Sequence, residues 1–482
     1  GRSNSMIYKY YGPPGTGKTF RLISRAKAYI RTGTPLDKIG YFAFTKKAAG
    51  EAKVRMSPIS PRRLSYFRTL HSLGFDCLEN INQDNVMQPY HYEEFGKKVN
   101  LQVKYYDRYN KDESFYLGFE NPYFQIIHKA VNKCVSIREE FDLEEHDPKN
   151  VNWKTLKHIH DNLIEYKDKK NLFDFNDMIK MLVDKSDKIP NFDVVFIDEA
   201  QDLSPLQWKL YDILKAKTKD VYLAGDDDQA IFTWAGADVK RFIQEPAKEK
   251  VLNKSKRISR AVQAQSTIPI NNIQGLRKLK KYYPRDEKGK CEEIYNLDEI
   301  DLTKDKWFIL TRTVSKLLKI QDMLISKGLY FESNRGKSIK IRMYNAMNNY
   351  NAWCKGKELT EEEIKDIKDF TGEYEWKPEK NWFQAFKLAE DDDKEYLLHL
   401  LENKEELEKP ARIWLSTIHA IKGGEQDNVI LCLDMGDKII KSIRQSQDKE
   451  DEEHRVWYVG TTRARNNLYK LKLNKSRKGY QL

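Results

Sequence analysis

The feature that most constrains the fold of this chain is the glycine-rich segment GPPGTGKT at residues 12–19. It follows MIYKYY (6–11), whose β-branched and aromatic residues predict a strand, and it precedes a run from Phe20 to about Ile30 that predicts a helix. A strand, a glycine-rich loop and a helix in this order are the context of a phosphate-binding loop, where backbone N–H groups and the helix N-terminus face phosphate oxygens. The pattern therefore predicts an α/β nucleotide-binding domain rather than a chance glycine-rich turn. The residues expected to bind the nucleotide are Gly12, Gly15, Thr16, Gly17, Lys18 and Thr19.

An acidic pair after a second apolar run would complete such a site. In FDVVFIDEAQDLSP, the apolar run at 194–197 is followed by Asp198 and Glu199, and a continuous apolar run fits a strand buried on both faces of a parallel sheet. Lys18 is expected to reach the β- and γ-phosphates, while Thr19 and Asp198 hold Mg²⁺. Glu199 would orient or deprotonate the attacking water, which indicates a hydrolase rather than a kinase. The alternative is an ordinary acidic turn after a strand.

A third apolar run, at 221–224, ends in the polar cluster Asp226–Gln229. Gln229 is expected to touch the γ-phosphate or the attacking water. Beyond it, Phe232 and Trp234 alternate at strand-like spacing and could belong to the core. Because this is an unusual place to bury two rings, the other interpretation is that they are exposed and stack on nucleic-acid bases.

The composition is consistent with a polyanionic partner. The 482 residues carry a net charge of +12 and the pI is near 9.0, although many basic proteins simply have a positive surface. The five cysteines are scattered and lack metal-ligand or redox spacing, which fits a reducing compartment. No apolar run approaches membrane-spanning length. We therefore expect no membrane partner and a cytoplasmic location in a bacterial or phage-infected cell.

An ordered set of segments resembles the motifs of superfamily 1 DNA helicases of the UvrD/Rep/PcrA type. In chain order they are GPPGTGKT (motif I), FAFTKKAAGEAKVRM at 42–56 (Ia), RTLHSLGF at 68–75 (Ib), DFNDMI at 174–179, VFIDEAQDLSPLQ (II), LAGDDDQAIFTWAGAD (III), LNKSKRIS at 252–259 (IV), WLSTIHAIKGGEQDNVI at 414–430 (V) and EEHRVWYVGTTRARNNLY at 452–469 (VI). Each motif alone is weak, but the ordered set is specific and extends over most of the chain.

The resemblance implies an α/β architecture of two RecA-like P-loop domains, each a parallel sheet flanked by helices and each carrying an inserted, mostly helical subdomain. The implied boundaries are 6–75 and 170–247 for domain 1A, 76–169 for insertion 1B, 248–331 and 410–482 for domain 2A, and 332–409 for a reduced insertion 2B. Within 2B, Thr360 and Glu363 form a predicted capping box at a helix start, and Gly372 is its predicted stop.

The resemblance also implies an activity: ATP-dependent movement along single-stranded DNA, 3′→5′, coupled to strand separation. Mg²⁺ and ATP are the implied cofactors, and single strands and single-strand/duplex junctions the implied partners; protein partners are unknown. Arg257 and Arg463 would face the γ-phosphate, and Gly424 and Glu425 would contact ATP. Arg463 could instead begin a surface helix, and Arg257 could belong to an ordinary basic run. The implied DNA-binding residues are Phe44, Thr45, Thr69, His71, Phe232, Trp234, Thr417 and His419. Structural hydrogen bonds are the alternative role of the two histidines.

Two departures from the family concern the base of the nucleotide. The given residues before the phosphate loop contain no glutamine motif of the kind that the family normally has upstream, and Lys256 stands where motif IV normally has an aromatic residue that stacks on adenine. We therefore expect relaxed nucleotide choice, with GTP or other NTPs hydrolysed as well, and Tyr8 or Tyr10 as possible replacements for the lost contact.

The reduced 2B region leaves a second function open: a translocase that displaces proteins from single strands and unwinds poorly alone. A third hypothesis, a non-catalytic DNA-binding scaffold, is disfavoured because Lys18, Asp198, Glu199, Gln229 and Arg463 are all present. RNA is a possible substrate, but the motif set favours DNA.

Overall fold

A computed structural model describes residues 5–59, 61–103, 121–143, 150–372, 376–473 and 479–482. The chain divides into two compact units, of which the first comprises 1–287 with 442–462 and the second 288–441 with 463–482. Two parts of the predicted insertion 76–169, namely 104–120 and 144–149, lie outside the described residues, as do 373–375 of the predicted 2B region. No helix among the described residues is long and apolar enough to cross a membrane.

The described strands are β1 (Met6–Tyr11), β2 (Ile39–Ala43), β3 (Phe67–Thr69), β4 (Phe192–Ile197), β5 (Thr218–Gly225), β6 (Lys248–Val251), β7 (Lys290–Ile294), β8 (Trp307–Thr311), β9 (Phe331–Ser333), β10 (Gly336–Lys337), β11 (Ile413–Thr417), β12 (Gln426–Cys432) and β13 (Ala464–Leu471).

The described helices are α1 (Lys18–Arg31), α2 (Lys46–Arg55), α3 (Gly74–Cys77), α4 (Pro89–Lys98), α5 (Pro122–Lys133), α6 (Ile137–Leu143), α7 (Trp153–Lys170), α8 (Phe175–Asp184), α9 (Pro205–Ala216), α10 (Val239–Gln244), α11 (Arg260–Asn271), α12 (Val314–Ser326), α13 (Ile341–Cys354), α14 (Glu361–Thr371), α15 (Trp382–Ala385), α16 (Asp391–Glu402), α17 (Asp437–Ile443) and α18 (Gln447–Thr461).

The first unit is built on a parallel sheet in the order β3-β2-β4-β5-β1-β6. Successive residues of β4 alternate between two apolar clusters, with Val195 and Ile197 in one and Val194 and Phe196 in the other. Both faces of the strand are therefore buried, as its continuous apolar run predicts. Because the strands are parallel, the carboxyl ends of β1, β4 and β5 share one edge of the sheet, and all three predicted phosphate-site segments follow these ends.

One strand of this sheet carries a buried lysine. Lys9, in β1, has no exposed surface; its ammonium donates to Glu249 at 3.3 Å and to the Ile243 carbonyl at 3.1 Å. Glu249 belongs to β6, which pairs with β1. The first sheet thus includes 248–251, although the sequence-based boundary ends domain 1A at 247.

The second unit contains a sheet in the order β10-β9-β11-β8-β12-β13-β7, parallel except for the short β9–β10 pair. One face of it packs on an apolar cluster that includes Ile309, Leu415 and Ile430. Two parallel sheets flanked by helices confirm the predicted fold class of two RecA-like domains.

Helices α13–α16 form a separate aromatic-rich core in the second unit, with Tyr350, Trp382 and Phe386 among its members. The predicted capping box is confirmed: Thr360 Oγ1 accepts from Glu363 N at 3.2 Å, and Glu363 Oε2 accepts from Thr360 N at 2.9 Å. Gly372 ends α14 with a φ of 74°, which glycine adopts without the steric cost of a Cβ. These local signals lie within a few residues of each other, which is why the sequence predicted them.

Candidate nucleotide-hydrolysis site

The phosphate loop adopts the conformation that its glycines permit. Gly15 and Gly17 have φ of 72° and 84°, and Gly17 caps the N-terminus of α1. Lys18 folds back and donates its ammonium to the Gly12 carbonyl at 2.9 Å. A Cβ added at Gly12 would lie 1.9 Å from the Lys18 side chain, so this close approach requires glycine. Thr16 Oγ1 donates to the Pro13 carbonyl at 2.7 Å, which stabilises the turn.

The predicted Mg²⁺ ligands lie together. Thr19 Oγ1 donates to Asp198 Oδ2 at 2.6 Å, and the Tyr41 hydroxyl donates to the same oxygen at 3.0 Å. Asp198 is 3% exposed; burial and the neighbouring Glu199 raise its pKa, while the bonds from Thr19 and Tyr41 and the charge of Lys18 oppose that rise. A hydroxyl and a carboxylate are oxygen ligands of the kind that Mg²⁺ prefers, so these residues fit the ion.

The predicted general base sits on an unusual backbone. Glu199 has a φ of 53°, a left-handed conformation that a residue with a Cβ adopts only when its surroundings enforce it. Gln201 holds the side chain, because its Nε2 donates to Glu199 Oε2 at 2.5 Å, while its Oε1 accepts from Asp226 N at 3.1 Å. Gln201 therefore bridges the loop after β4 and the loop after β5, a role that sequence reasoning did not assign.

The predicted sensor is held by its own loop. Gln229 Nε2 donates to Asp226 Oδ2 at 2.7 Å within a 3₁₀ turn at Asp227–Gln229. Because a carboxylate only accepts, the end of the carboxamide that faces Asp226 must be the N–H end. Gln229 is 6% exposed. The turn thus fixes which way its carboxamide points.

The same loop carries a buried ionic cluster, here called the Lys280 cluster: Asp226, Asp227, Asp228, Arg277 and Lys280. Lys280 Nζ lies 3.3 Å from Asp226 Oδ1 and 2.9 Å from Asp228 Oδ2, and it also pairs with Asp227. Arg277 forms a two-pronged pair with Asp228 at 2.6 and 3.0 Å. Burial raises the pKa of Asp227; for Lys280, burial lowers the pKa but the three carboxylates outweigh it and raise it. Sequence reasoning missed both cations, which lie about fifty residues from the loop they neutralise.

Part of motif IV packs on the phosphate loop. Lys256 N donates to the Gly15 carbonyl at 2.9 Å, and Ser255 Oγ donates to the Pro14 carbonyl at 2.8 Å. A Cβ at Gly15 would lie 2.3 Å from Arg257 Cβ, so glycine is needed for this approach. Arg257 thus starts from a backbone position beside the loop that is predicted to bind phosphate.

The second unit groups three other predicted residues. Arg463 is 1% exposed, and its Nη1 donates to the Gly424 carbonyl at 3.1 Å. It follows α18 and precedes β13, so the alternative that it begins a surface helix is wrong. Glu425 Oε1 lies 3.5 Å from Arg465 Nη1.

The remaining two residues predicted in this unit lie at the end of β11 and in the turn that follows it. Thr417 Oγ1 accepts from Ala420 N at 3.3 Å, and the His419 carbonyl accepts from Lys422 N at 3.4 Å. Both support the local turn.

Comparison with known proteins identifies the family. A family model for the N-terminal domain of UvrD/REP helicases matches residues 9–250, half of the 482-residue chain. The chain belongs to the UvrD/Rep helicase family.

Individual relatives agree with this assignment. The chain is 24% identical over 381 residues to the ATP-dependent DNA helicase Rep of Buchnera aphidicola subsp. Acyrthosiphon pisum, covering 73% of this chain and 56% of the relative. It is 26% identical over 240 residues to the putative ATP-dependent DNA helicase YjcD of Bacillus subtilis, covering 46% and 30%. It is 25% identical over 244 residues to DNA helicase II of Haemophilus influenzae, covering 47% and 32%. The chain spans about a third to just over half of the length of these relatives.

The aromatic residues predicted to contact DNA in this UvrD/Rep family member are partly brought together. The rings of Phe44 and Phe232 stack with centroids 6.2 Å apart and an angle of 17°. Phe232 is only 5% exposed, which favours the core interpretation for this ring. Trp234 is half-buried and lies in a 3₁₀ turn at Thr233–Ala235, so strand-like alternation is the wrong description of this segment. Gly236, with a φ of 101°, ends this turn.

The predicted DNA-contacting polar residues of the first unit have local structural partners. Thr45 caps α2 by accepting from Ala48 N at 3.1 Å. Thr69 Oγ1 lies 3.1 Å from His71 Nε2, and the His71 ring packs on Phe175 at 4.2 Å. Burial lowers the pKa of His71 to about 3, so the ring is neutral at pH 7. These contacts favour the structural role for His71.

Proposed function

We propose that this chain is an ATP-dependent DNA helicase or translocase that moves 3′→5′ along single-stranded DNA. The observation that carries the proposal is the hydrogen-bonded connection between the loops after β4 and β5. Gln201 joins Glu199 to the loop of Gln229, beside the Thr19–Asp198 pair. A metal ligand pair, a base and a water-orienting amide at one sheet edge are the groups that NTP hydrolysis needs.

The side chains at this sheet edge have different proposed roles in phosphate binding, metal binding and proton transfer. Lys18 would leave the Gly12 carbonyl and bind β- and γ-phosphate oxygens. Thr19 and Asp198 would hold Mg²⁺, which when bound neutralises charge on the phosphates. Glu199 would take a proton from the attacking water, and its bond to Gln201 keeps the carboxylate in a defined direction.

Other groups would orient the attacking water and stabilise the charge on the nucleotide phosphates. The carboxamide of Gln229 would orient the attacking water, and Gly424 and Glu425 are proposed nucleotide contacts. Arg257 and Arg463 are proposed to bind the γ-phosphate. An arginine in this role accelerates phosphoryl transfer by roughly 10³–10⁵.

DNA binding is proposed for the surface formed by motifs Ia, Ib and III. Phe44 and Trp234 are the aromatic residues proposed to stack on bases. The ring of Phe232 packs against that of Phe44 and would hold it in place. Stacking is worth about 1–3 kcal/mol per base and tolerates any sequence, which suits a motor. Thr45, Thr69, His71, Thr417 and His419 are proposed to shape the loops that contact the DNA backbone. Binding of this kind weakens steeply as salt rises.

Relaxed nucleotide choice is proposed from one contact beside the phosphate loop. Phe20, in the first turn of α1, is 67% exposed, and Lys256 Nζ lies 5.9 Å from the centre of its ring. The exposed ring of Phe20 can stack on any base. The ammonium of Lys256 favours bases that present carbonyl oxygens, so neither group selects adenine. By contrast, Tyr10 is 5% exposed and Tyr8 stacks on Tyr222 at 4.6 Å, so neither is proposed to contact the base.

A second candidate function is a translocase that displaces bound proteins and unwinds poorly alone. The small four-helix core of α13–α16 favours it, because little structure inserted in the second unit is available to engage duplex DNA. Unwinding of a forked duplex, set beside displacement of a protein from a single strand, distinguishes the two candidates.

The test of the proposed function is steady-state ATP hydrolysis with and without single-stranded DNA, repeated with GTP. We expect strong stimulation by DNA, and a loss of about 10²–10⁴ in kcat for Glu199→Gln, because the amide cannot accept the proton. The exposed Glu408→Gln, outside all the helicase motifs, is the matched control and should behave as wild type. A low rate that is indifferent to DNA would contradict the proposal and bring the non-catalytic scaffold forward. A hundredfold preference for ATP over GTP would contradict relaxed nucleotide choice alone.

A further inference from the structure

Lys280 belongs to none of the helicase motifs, yet it is the cation at the centre of the Lys280 cluster. Its side chain is 2% exposed, and its ammonium contacts a carboxylate of each of Asp226, Asp227 and Asp228. It also donates to the Lys278 carbonyl at 3.0 Å. A lysine this deeply buried is rare and persists only when fully paired.

Asp226 connects this lysine to the sensor. Its Oδ2 accepts from Gln229 Nε2 at 2.7 Å, while its Oδ1 accepts from Asp228 N at 3.2 Å and lies 3.3 Å from Lys280 Nζ. We propose that Lys280 is a positioning residue for NTP hydrolysis: by holding Oδ1 of Asp226, it orients the carboxylate that fixes the direction of the Gln229 carboxamide. This inference rests on the proposed function, in which Gln229 orients the attacking water.

Charge balance explains why the lysine is needed. Three buried carboxylates face two cations, Arg277 and Lys280, so the cluster is already short of positive charge. Without Lys280, the three carboxylates repel one another with only Arg277 left to hold them. An Asp226 carboxylate that no ammonium holds can turn, so its Oδ2 no longer stays against the N–H end of the Gln229 carboxamide. The sensor can then turn, and the water loses its orientation.

The backbone that carries Lys280 has independent anchors. Asp451 accepts from Gln274 N at 3.0 Å and from Gly275 N at 2.7 Å, and Arg455 Nη2 donates to the Leu276 carbonyl at 3.2 Å. Lys278 N donates to Asp227 Oδ2 at 2.8 Å. We therefore expect the backbone of this segment to stay in place when only the Lys280 side chain is changed. A substitution of Lys280 then reports on the loss of its ammonium.

The experiment uses the full chain and measures kcat and KM for ATP in the presence of single-stranded DNA. Lys280→Met is expected to lower kcat at least tenfold with KM within threefold of wild type, and Lys280→Arg to restore most of the loss. Lys281→Met removes an exposed lysine next in the chain and is the matched control. A folded Lys280→Met with kcat within twofold of wild type overturns the inference.

A double-mutant cycle tests the route through Gln229. In a Gln229→Ala background, Lys280→Met should change kcat less than twofold, whereas an unrelated structural role would lower it by the same factor as in wild type and overturn the inference. Should Lys280→Met fail to fold, Asp226→Asn removes the same connection and must show the same loss of kcat and the same non-additivity. An inactive wild-type chain overturns the proposed function and this inference together. An active wild type with an unaffected variant overturns the inference alone.

Discussion

Two buried ionic clusters in the first unit share a design but differ in what they touch. One is the Lys280 cluster. The other, here called the Lys167 cluster, consists of His128, Lys167, Asp174 and Asp177. In it, Lys167 Nζ lies 3.0 Å from Asp174 Oδ2 and 2.7 Å from Asp177 Oδ2. In each cluster one lysine bridges neighbouring aspartates, and in each the carboxylates raise the pKa of the lysine despite its burial.

The difference lies in the remaining contacts of the aspartates. Asp226 uses its second oxygen, Oδ2, to accept a hydrogen bond from Gln229, a proposed participant in hydrolysis. Asp174 instead caps α8 by accepting from Asp177 N at 2.9 Å, while Asp177 accepts from Asp174 N at 2.8 Å. Lys167 then ties the C-terminal turn of α7 to this capping box. Buried ion pairs at a sheet edge and at a helix cap thus have similar charges, but we expect only the pairs at the sheet edge to affect catalysis.

The largest effect that would test this distinction is expected for Lys167→Met. Removing one partner of a buried ion pair typically costs about 3–5 kcal/mol, and the 30% exposed Asp177 side chain puts the expected loss near the lower value. The free energy of unfolding, measured in urea, should therefore fall by about 3 kcal/mol. kcat should stay within twofold of wild type, in contrast to Lys280→Met.

Lys154→Met is the matched control for that measurement, because Lys154 is exposed on the same helix. It should leave both the stability and kcat unchanged. If Lys167→Met lowered kcat without lowering the free energy of unfolding, the two clusters would not differ as argued.

A smaller, pH-dependent effect is expected for His128→Gln. Burial lowers the pKa of His128 from 6.5 to about 4, with Lys167 adding to that effect and Asp174 opposing it. The folded state therefore binds fewer protons than the unfolded state below pH 6.5, so stability is complete above that pH and is lost as the pH falls towards 4. Because of the histidine, the free energy of unfolding of the wild type should be about 2 kcal/mol lower at pH 5 than at pH 8. His128→Gln should remove this difference.

Asp177 should act in the opposite direction within the same cluster. Burial and the charge of Asp174 raise its pKa, so its contribution to stability grows as the pH falls. Urea unfolding from pH 8 to 5 should accordingly show a flatter profile for His128→Gln and a steeper loss for Asp177→Asn. Parallel profiles for wild type and His128→Gln would show that the buried imidazole does not govern this pH dependence.

Sequence reasoning succeeded where the deciding interactions are local. The strand, glycine loop and helix around Lys18, the buried β4 before Asp198, and the capping box at Thr360 each depend on residues close together in the chain. Propensity, glycine conformations and side-chain-to-backbone bonds decide these features. The family resemblance added the order of the motifs, and the match to residues 9–250 confirms the family.

Sequence reasoning failed where distant residues meet. Nothing near Asp226 indicates that a lysine from the loop after α11 neutralises it, and nothing in MIYKYY indicates that Lys9 is fully buried against Glu249 of β6. The sequence likewise left open whether Phe232 is buried, because its ring contact with Phe44 joins the ends of two different strands. A basic or aromatic residue carries the same local signal whether it faces solvent or completes a buried cluster.

The smallest effect is expected for Lys157→Ala, on the same helix as Lys167. Lys157 Nζ lies 2.5 Å from Asp161 Oδ2, closer than Lys167 lies to either aspartate, but both side chains are more than half exposed. Solvent screens such a pair, and exposed i,i+4 pairs contribute only about 0.3–0.5 kcal/mol. The free energy of unfolding should therefore change by less than about 0.5 kcal/mol, and the change should vanish at high salt. A loss similar to that of Lys167→Met would mean that distance rather than burial sets the strength of these ion pairs, and the contrast between buried and exposed pairs would fail on a single helix.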